Sequence, residues 1–318
     1  MTTLLLIGKV NPRVRERLTG PFEILELPSA KAEDVTSDMA ARVTGTASFN
    51  AMPASLMDAL PNLKIIANFG VGYDGVDVRH AASKGLIVTN TPDVLDDEVA
   101  DTTIGLLLNT LRQFPRAENY LREGRWVKEG AFPLSPLTLR DRHIGMYGMG
   151  RIGQQIAKRL EAFGVRISYY TRSPRKDVQY DYFPSLKELA TAVDTLVCIV
   201  PKTPETRQTI NSEILAALGS NGVLINVGRG WTVHEGDLID ALERNVIAGA
   251  GLDVFEDEPN VPAGLLKFDN VSLLPHVASA SVATRNAMAD LVADNLISWF
   301  EQGKPVTPVP ETPFKEAR

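Results

Sequence analysis

Cysteine is nearly absent from this chain. Cys198 is the only one in 318 residues, which excludes an intrachain disulfide framework and suits a reducing compartment. Histidine is scarce too: His80, His143, His234 and His276 stand far apart without ligand spacing, so no metal site is expected. No apolar run reaches the length of a membrane span. Met1-Thr2-Thr3 leads straight into a short strand-like run, without the basic start and longer apolar core of a signal peptide. A cytoplasmic location is therefore expected. Positive charge is in the minority, with 33 Lys and Arg against 39 Asp and Glu. The resulting net charge of −6 argues against nonspecific nucleic-acid binding and for a small-molecule function. Low-complexity segments and short-period repeats are missing as well. A hydrophobic fraction of 44% with 23% charged residues is that of a globular chain, long enough for two domains with substantial cores.

What is present is organised around residues 139–173. Ile144-Gly145-Met146-Tyr147 reads as a short buried strand. Gly148-Met149-Gly150-Arg151-Ile152-Gly153 turns the chain and opens a helix with Ile152, Ile156, Leu160 and Phe163 along one side. Gly164 ends that helix, and residues 165–170 read as the next strand. Strand, glycine turn, helix and strand within about thirty residues form the context of a dinucleotide fingerprint. Gly148 allows the tight turn, Gly150 lets the backbone approach a pyrophosphate, and Gly153 lets the helix pack close. The freed N–H groups and the helix dipole favour the phosphates. A ribose 2′-hydroxyl usually meets an acid about twenty residues after the glycines. Here Tyr170-Thr171-Arg172-Ser173-Pro174-Arg175-Lys176 offers no acid before Asp177. Arg172 can stack on adenine and fork onto a 2′-phosphate, with Ser173 donating a hydrogen bond, so NADP(H) is expected over NAD(H).

On either side of this stretch the chain keeps a β/α rhythm. Strands are expected at 4–7, 22–27, 43–49, 64–68 and 85–89. Asn11-Pro12 opens a helix, and further helices are expected at 56–60 and 78–84. Short apolar runs alternating with helices imply a parallel sheet covered on both faces. Residues 97–111 form a strongly apolar helix, placed at the join between two domains, and residues 112–138 read as irregular. After the fingerprint come helices at 186–192, 212–218 and 234–244, and strands at 195–200, 223–227, 248–254 and 271–274. That makes six strands of a doubly wound sheet. A long helix at 283–302 follows the complete second sheet and is expected to return to the first domain, before a tail over 305–318.

Ligands of such sheets sit at the carboxyl ends of the strands, and three reactive groups fall there. Arg229 follows a strand in Asn226-Val227-Gly228-Arg229-Gly230. Glu258 lies in Gly251-Leu252-Asp253-Val254-Phe255-Glu256-Asp257-Glu258-Pro259, and His276 follows Leu273-Leu274-Pro275. Reduction of a 2-oxo acid needs a cation for the carboxylate and carbonyl, and a proton for the carbonyl oxygen as hydride reaches carbon. His276 suits the proton role, Glu258 could hold the imidazole and favour its charged form, and Arg229 can fork onto a carboxylate. Singly they read as a surface arginine, an acidic turn and a capping histidine; together they point to one site.

These motifs, with Pro275-His276-Val277-Ala278-Ser279, resemble the D-isomer-specific 2-hydroxyacid dehydrogenases over essentially the whole chain. Within that family the resemblance is to NADPH-dependent glyoxylate/hydroxypyruvate reductases and their hydroxyphenylpyruvate-reducing relatives. It implies an α/β fold of two doubly wound parallel-sheet domains. A Rossmann cofactor domain (99–286) would be inserted in a flavodoxin-like substrate domain (1–98 and 287–318). It assigns Arg229 to substrate binding, His276 to general acid/base work and Glu258 to the support of His276. Asn68-Phe69-Gly70-Val71-Gly72-Tyr73-Asp74 matches the family's substrate loop, so the N–H groups of Val71 and Gly72 are expected on the substrate carboxylate. The expected cofactor contacts are Gly148, Met149, Gly150, Arg151, Ile152, Gly153, Thr171, Arg172, Ser173, Arg175, Val200, Pro201, Thr206, Val227, Gly228, Arg229, Asp253, His276 and Ser279. Of these, Asp253 would lie on the nicotinamide side and Pro201 on the adenine or ribose side. The resemblance also implies a homodimer, with residues 112–138 as the arm. The rival readings are a phenylpyruvate- or hydroxyphenylpyruvate-reducing enzyme and a nucleotide-sensing corepressor-like protein.

Overall fold

A computed structural model describes residues 1–314; positions 315–318 of the expected tail lie outside the described residues. In chain order the first elements are β1 (Thr3–Ile7), α1 (Pro12–Leu18), β2 (Glu23–Leu27), α2 (Ser37–Arg42), β3 (Val43–Ser48), α3 (Ala54–Asp58), β4 (Ile65–Asn68), α4 (Val78–Ser83) and β5 (Ile87–Thr89). Then follow α5 (Asp96–Arg112), α6 (Phe114–Arg122), α7 (Arg125–Glu129), β6 (His143–Tyr147), α8 (Arg151–Glu161), β7 (Arg166–Tyr170) and β8 (Asp181–Tyr182). The last are α9 (Leu186–Ala192), β9 (Thr195–Cys198), α10 (Ser212–Leu218), β10 (Val223–Asn226), α11 (Glu235–Glu243), β11 (Gly249–Leu252), β12 (Val271–Leu273) and α12 (Val282–Gln302). They divide into two units, Met1–Leu95 with the chain from Ala280 onward, and Asp96–Ser279.

The first unit is a five-stranded sheet in the order β2-β1-β3-β4-β5, parallel throughout. β1 and β4 are buried along their whole length, as strands covered by helices on both faces must be. Asn11 caps α1, its Oδ1 accepting from the Arg13 amide at 2.9 Å, with Pro12 in the first turn. α12 packs against α1 and β4, so the long C-terminal helix belongs to the first sheet. Arg13 and Arg17 clip α1 to Asp290 and Asp294 of α12.

The second unit is a seven-stranded parallel sheet in the order β12-β11-β10-β9-β6-β7-β8. The winding reverses between β6 and β9, which makes their carboxyl ends the crevice where a ligand of an open α/β sheet binds. α5 carries Asp96, Asp97 and Glu98 in its first turn and buries Val99, Thr103, Leu106, Leu107 and Thr110 against α8 and β11. The sequence reading differs in three places. It has no helix for α2, which is six residues long and buries none of them, so no apolar period marks it. The seventh strand, β8, is two residues long, too short for any alternation to register. Residues 112–138, expected to be irregular, contain α6 and α7. The left-handed residues Gln113 (φ 52°) and Gly124 (φ 70°) cut this region into pieces too short for a helical period to show.

Candidate active site

The turn after β6 has the form a dinucleotide needs. Gly148 (φ 106°) donates its amide to the Tyr170 carbonyl, and a Cβ there would lie 2.8 Å from the Ile199 oxygen. A Cβ on Gly153 would lie 2.6 Å from the Gly148 carbonyl, so α8 starts pressed onto the turn, whereas open space surrounds Gly150. α8 has Gly150 at its N-cap, with no side-chain cap bond and no acid in its first turn, which leaves a ready anion site for the phosphates. Met149 is buried beneath the turn, while Arg151 reaches toward Asp96, Nε to Oδ2 3.6 Å, and Ile152 packs on the core. These residues fit a bound NAD(P).

Beyond β7, Arg172 and Ser173 are exposed, and Thr171 Oγ1 donates to the Ser173 carbonyl. Arg175, in contrast, grips Asp177, with Nε 2.8 Å from Oδ1. Its charge is paired with Asp177, whereas the Arg172 side chain faces solvent. After β9, Thr206 Oγ1 donates to the Pro201 carbonyl (2.8 Å) and accepts from the Thr203 amide (2.9 Å), shaping the loop from Val200. A Cβ on Gly228 would lie 2.9 Å from the Val200 carbonyl, so the turn after Val227 presses on that loop.

The reactive side chains meet beyond β10, β11 and β12. His276 Nδ1 lies 2.7 Å from Glu258 Oε2, and Glu258 Oε1 accepts from the Phe255 amide at 3.0 Å. Both carboxylate oxygens are thus fixed, and Nε2 is the imidazole atom left to face a substrate. Burial pushes Glu258 upward, but the bonds from His276 and Phe255 and the charges of His276 and Arg229 outweigh it and hold the carboxyl below its ordinary range. The same influence places Arg229 beside the pair; its Nη1 donates to the Gly228 carbonyl at 2.8 Å.

Asp253 does something the sequence did not suggest. Fully buried, it accepts the Val277 amide on Oδ1 (2.7 Å) and the Ala278 amide on Oδ2 (3.0 Å), while its carbonyl takes the His276 amide (2.8 Å). Burial raises its pKa despite those bonds and the charge of His276. His276 itself sits at φ 54°, a left-handed backbone that costs a non-glycine residue about 1 kcal/mol or more. Three successive amides on one aspartate hold it there. Thr102 adds a bond to the Ala278 carbonyl, and Ser279 follows on the same turn.

Val71 and Gly72 belong to the other unit, in the loop after β4. The buried Asn68 donates its side-chain amide to the carbonyls of Gly70 (3.1 Å) and Gly72 (3.0 Å). Asn90 donates to the Val71 carbonyl at 2.9 Å. Thr91 closes the set, its Oγ1 accepting from the Gly70 amide and its own amide donating to the Gly70 carbonyl. Asn68 Oδ1 accepts the Asn50 amide, and Asn50 Oδ1 accepts the Gly75 amide at 2.8 Å. Three successive carbonyls are thereby tied to side chains. Among the described residues, the amides of Val71 and Gly72 form no backbone bond. Two such amides in sequence make an anion nest. Sequence reasoning passed over Asn50, Asn68, Asn90 and Thr91; the one signal was an amide ending the otherwise apolar run Ile65-Ile66-Ala67-Asn68.

Comparison with known proteins agrees with this geometry. Residues 104–278 match the family model described as D-isomer specific 2-hydroxyacid dehydrogenase, NAD binding domain. A glyoxylate/hydroxypyruvate reductase A of Arabidopsis thaliana is 48% identical over 267 residues, 84% of each chain. A hydroxyphenylpyruvate reductase of Plectranthus scutellarioides is 50% identical over 257 residues, 80% of this chain and 81% of its own. Among solved structures, an NADPH-dependent glyoxylate/hydroxypyruvate reductase of Sinorhizobium meliloti in complex with NADP and malonate is 61% identical. It superposes with a TM-score of 0.97 over 100% of this chain and 99% of its own.

Proposed function

The chain belongs to the D-isomer-specific 2-hydroxyacid dehydrogenase family, and we propose that it is an NADPH-preferring reductase of small 2-oxo acids, glyoxylate and hydroxypyruvate foremost. The observation that carries the reading is the 2.7 Å pair of His276 and Glu258 with Arg229 beside it. A bound nicotinamide supplies the hydride that reduces the 2-oxo carbon. Gly148–Gly153 would hold the phosphates, and Arg172 with Ser173 the 2′-phosphate. Arg229 binds the substrate's carboxylate and carbonyl, and the Val71 and Gly72 amides take the carboxylate. His276 gives the proton on Nε2 to the carbonyl oxygen, while Glu258 on Nδ1 stabilises the imidazolium and fixes its orientation. The D-2-hydroxy acid is the product. An intact proton donor with its carboxylate is not what a purely nucleotide-sensing protein requires.

The same family reading, which drew the cofactor domain at 99–286, makes the unit Asp96–Ser279 the cofactor domain and the other unit the substrate domain. A homodimer joined through α6 and α7 is part of the proposal. Trp126, Val127 and Leu134 are 62%, 93% and 96% exposed, a concentration of apolar side chains that a second subunit would cover. The buried Cys198, its thiol pushed up to about 12 by burial, is consistent with a cytoplasmic enzyme. The deciding experiment is a steady-state panel of glyoxylate, hydroxypyruvate and hydroxyphenylpyruvate with NADPH and with NADH. The reading expects the highest kcat/KM for the two small acids with NADPH. Highest kcat/KM with hydroxyphenylpyruvate would move the protein beside its 50% identical relative, and no turnover at all would remove the enzyme reading. Arg172→Ala should weaken NADPH by about tenfold or more and NADH far less; equal losses would refute the phosphate contact.

A further inference from the structure

The seven-stranded sheet ends in a strand of two residues, and its place bears on how the loop beyond β7 is held. β8 pairs with β7 so that Tyr182 lies opposite Tyr169, and the two rings are 5.4 Å apart. The Phe183 amide donates to the Tyr169 carbonyl at 2.9 Å and extends that pairing. Tyr169 is 1% exposed, among the largest wholly buried side chains of the protein, yet it carries a hydroxyl. That hydroxyl accepts from the Arg175 amide at 2.8 Å and donates to the Arg175 carbonyl at 3.4 Å. The Tyr182 hydroxyl donates to the Thr171 carbonyl at 3.3 Å. Residues 171–175 are thus gripped at their first and last positions, each by one tyrosine. Between the grips, Thr171 Oγ1 donates to the Ser173 carbonyl at 2.7 Å, and Arg172 and Ser173 are exposed. Phenylalanine would fill almost the same core volume at either position. What tyrosine adds is a hydroxyl bonded to the main chain of this loop.

The same loop is tied to the glycine turn. The Gly148 amide donates to the Tyr170 carbonyl at 3.1 Å, one residue before the loop starts. Arg172 is long and exposed, and an exposed cation contributes little unless its geometry is fixed. Choosing a phosphate over a hydroxyl needs donors set before the ligand arrives, because a loop that must be ordered on binding subtracts from affinity. We propose that Tyr169 and Tyr182 are positioning residues for cofactor choice. They hold residues 171–175 in the shape that presents Arg172 and Ser173 to the 2′-phosphate of NADP(H), and β8 is the element that brings Tyr182 there. In this role neither tyrosine meets the ligand; both act through Arg172 and Ser173. The inference rests on the NADPH reading of the proposed function and adds to it the residues that set the preference from beneath the loop.

The test reads binding and not turnover. The full chain is titrated calorimetrically with adenosine 2′,5′-bisphosphate and with AMP, which differ by the 2′-phosphate and carry no nicotinamide. The parent should favour the bisphosphate by about tenfold or more, a preference of the size charge-assisted hydrogen bonds give. Tyr169→Phe should cut that preference about three- to tenfold, the range of a hydrogen bond, by weakening the bisphosphate and leaving AMP as it was. Tyr182→Phe, at a half-buried position, should do the same on a smaller scale, and it carries the test alone if Tyr169→Phe does not fold. In an Arg172→Ala background the two substitutions should cost little more, because the cation they position is gone. Parallel loss of both ligands overturns the proposal, since the tyrosines would then support the domain as a whole. An unchanged preference overturns it too, as does an equal loss in the Arg172→Ala background. The cofactor reading has its own outcome. If the parent shows no preference, or keeps it in Arg172→Ala, the phosphate contact is wrong and the brace falls with it. A preference lost in Arg172→Ala but untouched by either tyrosine substitution removes the brace alone.

Discussion

Beyond β11 and β12 the reactive groups are side chains, Glu258 and His276, and main-chain amides are among their supports: Phe255 binds Glu258, and the amides of residues 276–278 converge on Asp253. Beyond β4 the parts are exchanged. There the groups proposed to meet the ligand are the amides of Val71 and Gly72, and the supports are the side chains of Asn68, Asn90 and Thr91. The first arrangement suits a group that must gain and lose a proton. The second suits a group that must present fixed dipoles to a carboxylate and never titrate. The two edges should therefore fail differently: damage to the first lowers kcat, and damage to the second raises KM for the oxo acid.

The largest effect belongs to His276→Ala. Removing the proton donor should cut kcat about 10²- to 10⁴-fold and leave the NADPH dissociation constant nearly unchanged, by stopped-flow turnover and fluorescence titration. Turnover near that of the parent would remove the division of labour just described. Glu258→Gln comes next, with a loss in kcat of about 10- to 100-fold. It also has a pH signature. Glu258 has its folded pKa lowered, so its pairing with His276 stabilises the fold above the ordinary carboxylate pKa. That contribution is lost as pH falls through the lowered value. Melting temperature followed from neutral pH downward should fall in the parent, relative to the variant, only below the ordinary carboxylate range. A difference already vanishing above that range would show that Glu258 is not held ionised.

This contrast also accounts for what could be read from the sequence. Groups that act through side chains announce themselves: Arg229, Glu258 and His276 each follow a strand and carry unmistakable chemistry. The glycine turn is legible too, because Gly148 and Gly153 stand where any Cβ would strike backbone. The fold followed from apolar runs such as Leu4-Leu5-Leu6-Ile7 alternating with helices, including the return of α12 to the first sheet. The hold that Asp253 has on the His276 turn was not legible, since nothing in its neighbours shows that its oxygens face the main chain. Asn68 and Asn90 were invisible because a buried amide bonded to carbonyls has the same one-letter code as a turn residue. Arg175 looked like Arg172 until Asp177 was seen to hold it.

Asn68→Asp probes the backbone edge. The substitution keeps an acceptor for the Asn50 amide but replaces the two donors that hold the Gly70 and Gly72 carbonyls, leaving oxygen facing oxygen. Unmade buried bonds of this kind cost about 1–3 kcal/mol, so KM for glyoxylate should rise about 10- to 100-fold. NADPH affinity should stay as in the parent. If NADPH affinity falls in step, the substitution has disturbed the whole protein and the carboxylate loop has no separate support.

Tyr73→Phe should have the smallest effect and asks whether the asparagines hold the loop alone. Tyr73 follows Gly72 directly, and its hydroxyl donates to Glu311 at 3.1 Å, tying the loop to the C-terminal segment. Burial, then the charges of Glu311 and Asp74, push the phenol up to about 12, so it stays a neutral donor at every pH used for assay. A hydrogen bond shared with solvent contributes about 0.5–1.5 kcal/mol, and this one touches a side chain rather than the loop's own carbonyls. KM for glyoxylate should therefore change less than about threefold, with no dependence on pH between neutral and mildly alkaline buffers. A tenfold rise would mean that the segment around Glu311 fixes the loop as much as Asn68 does. The five-stranded edge would then depend on the segment in which Val309 and Thr312 already bond to Val88.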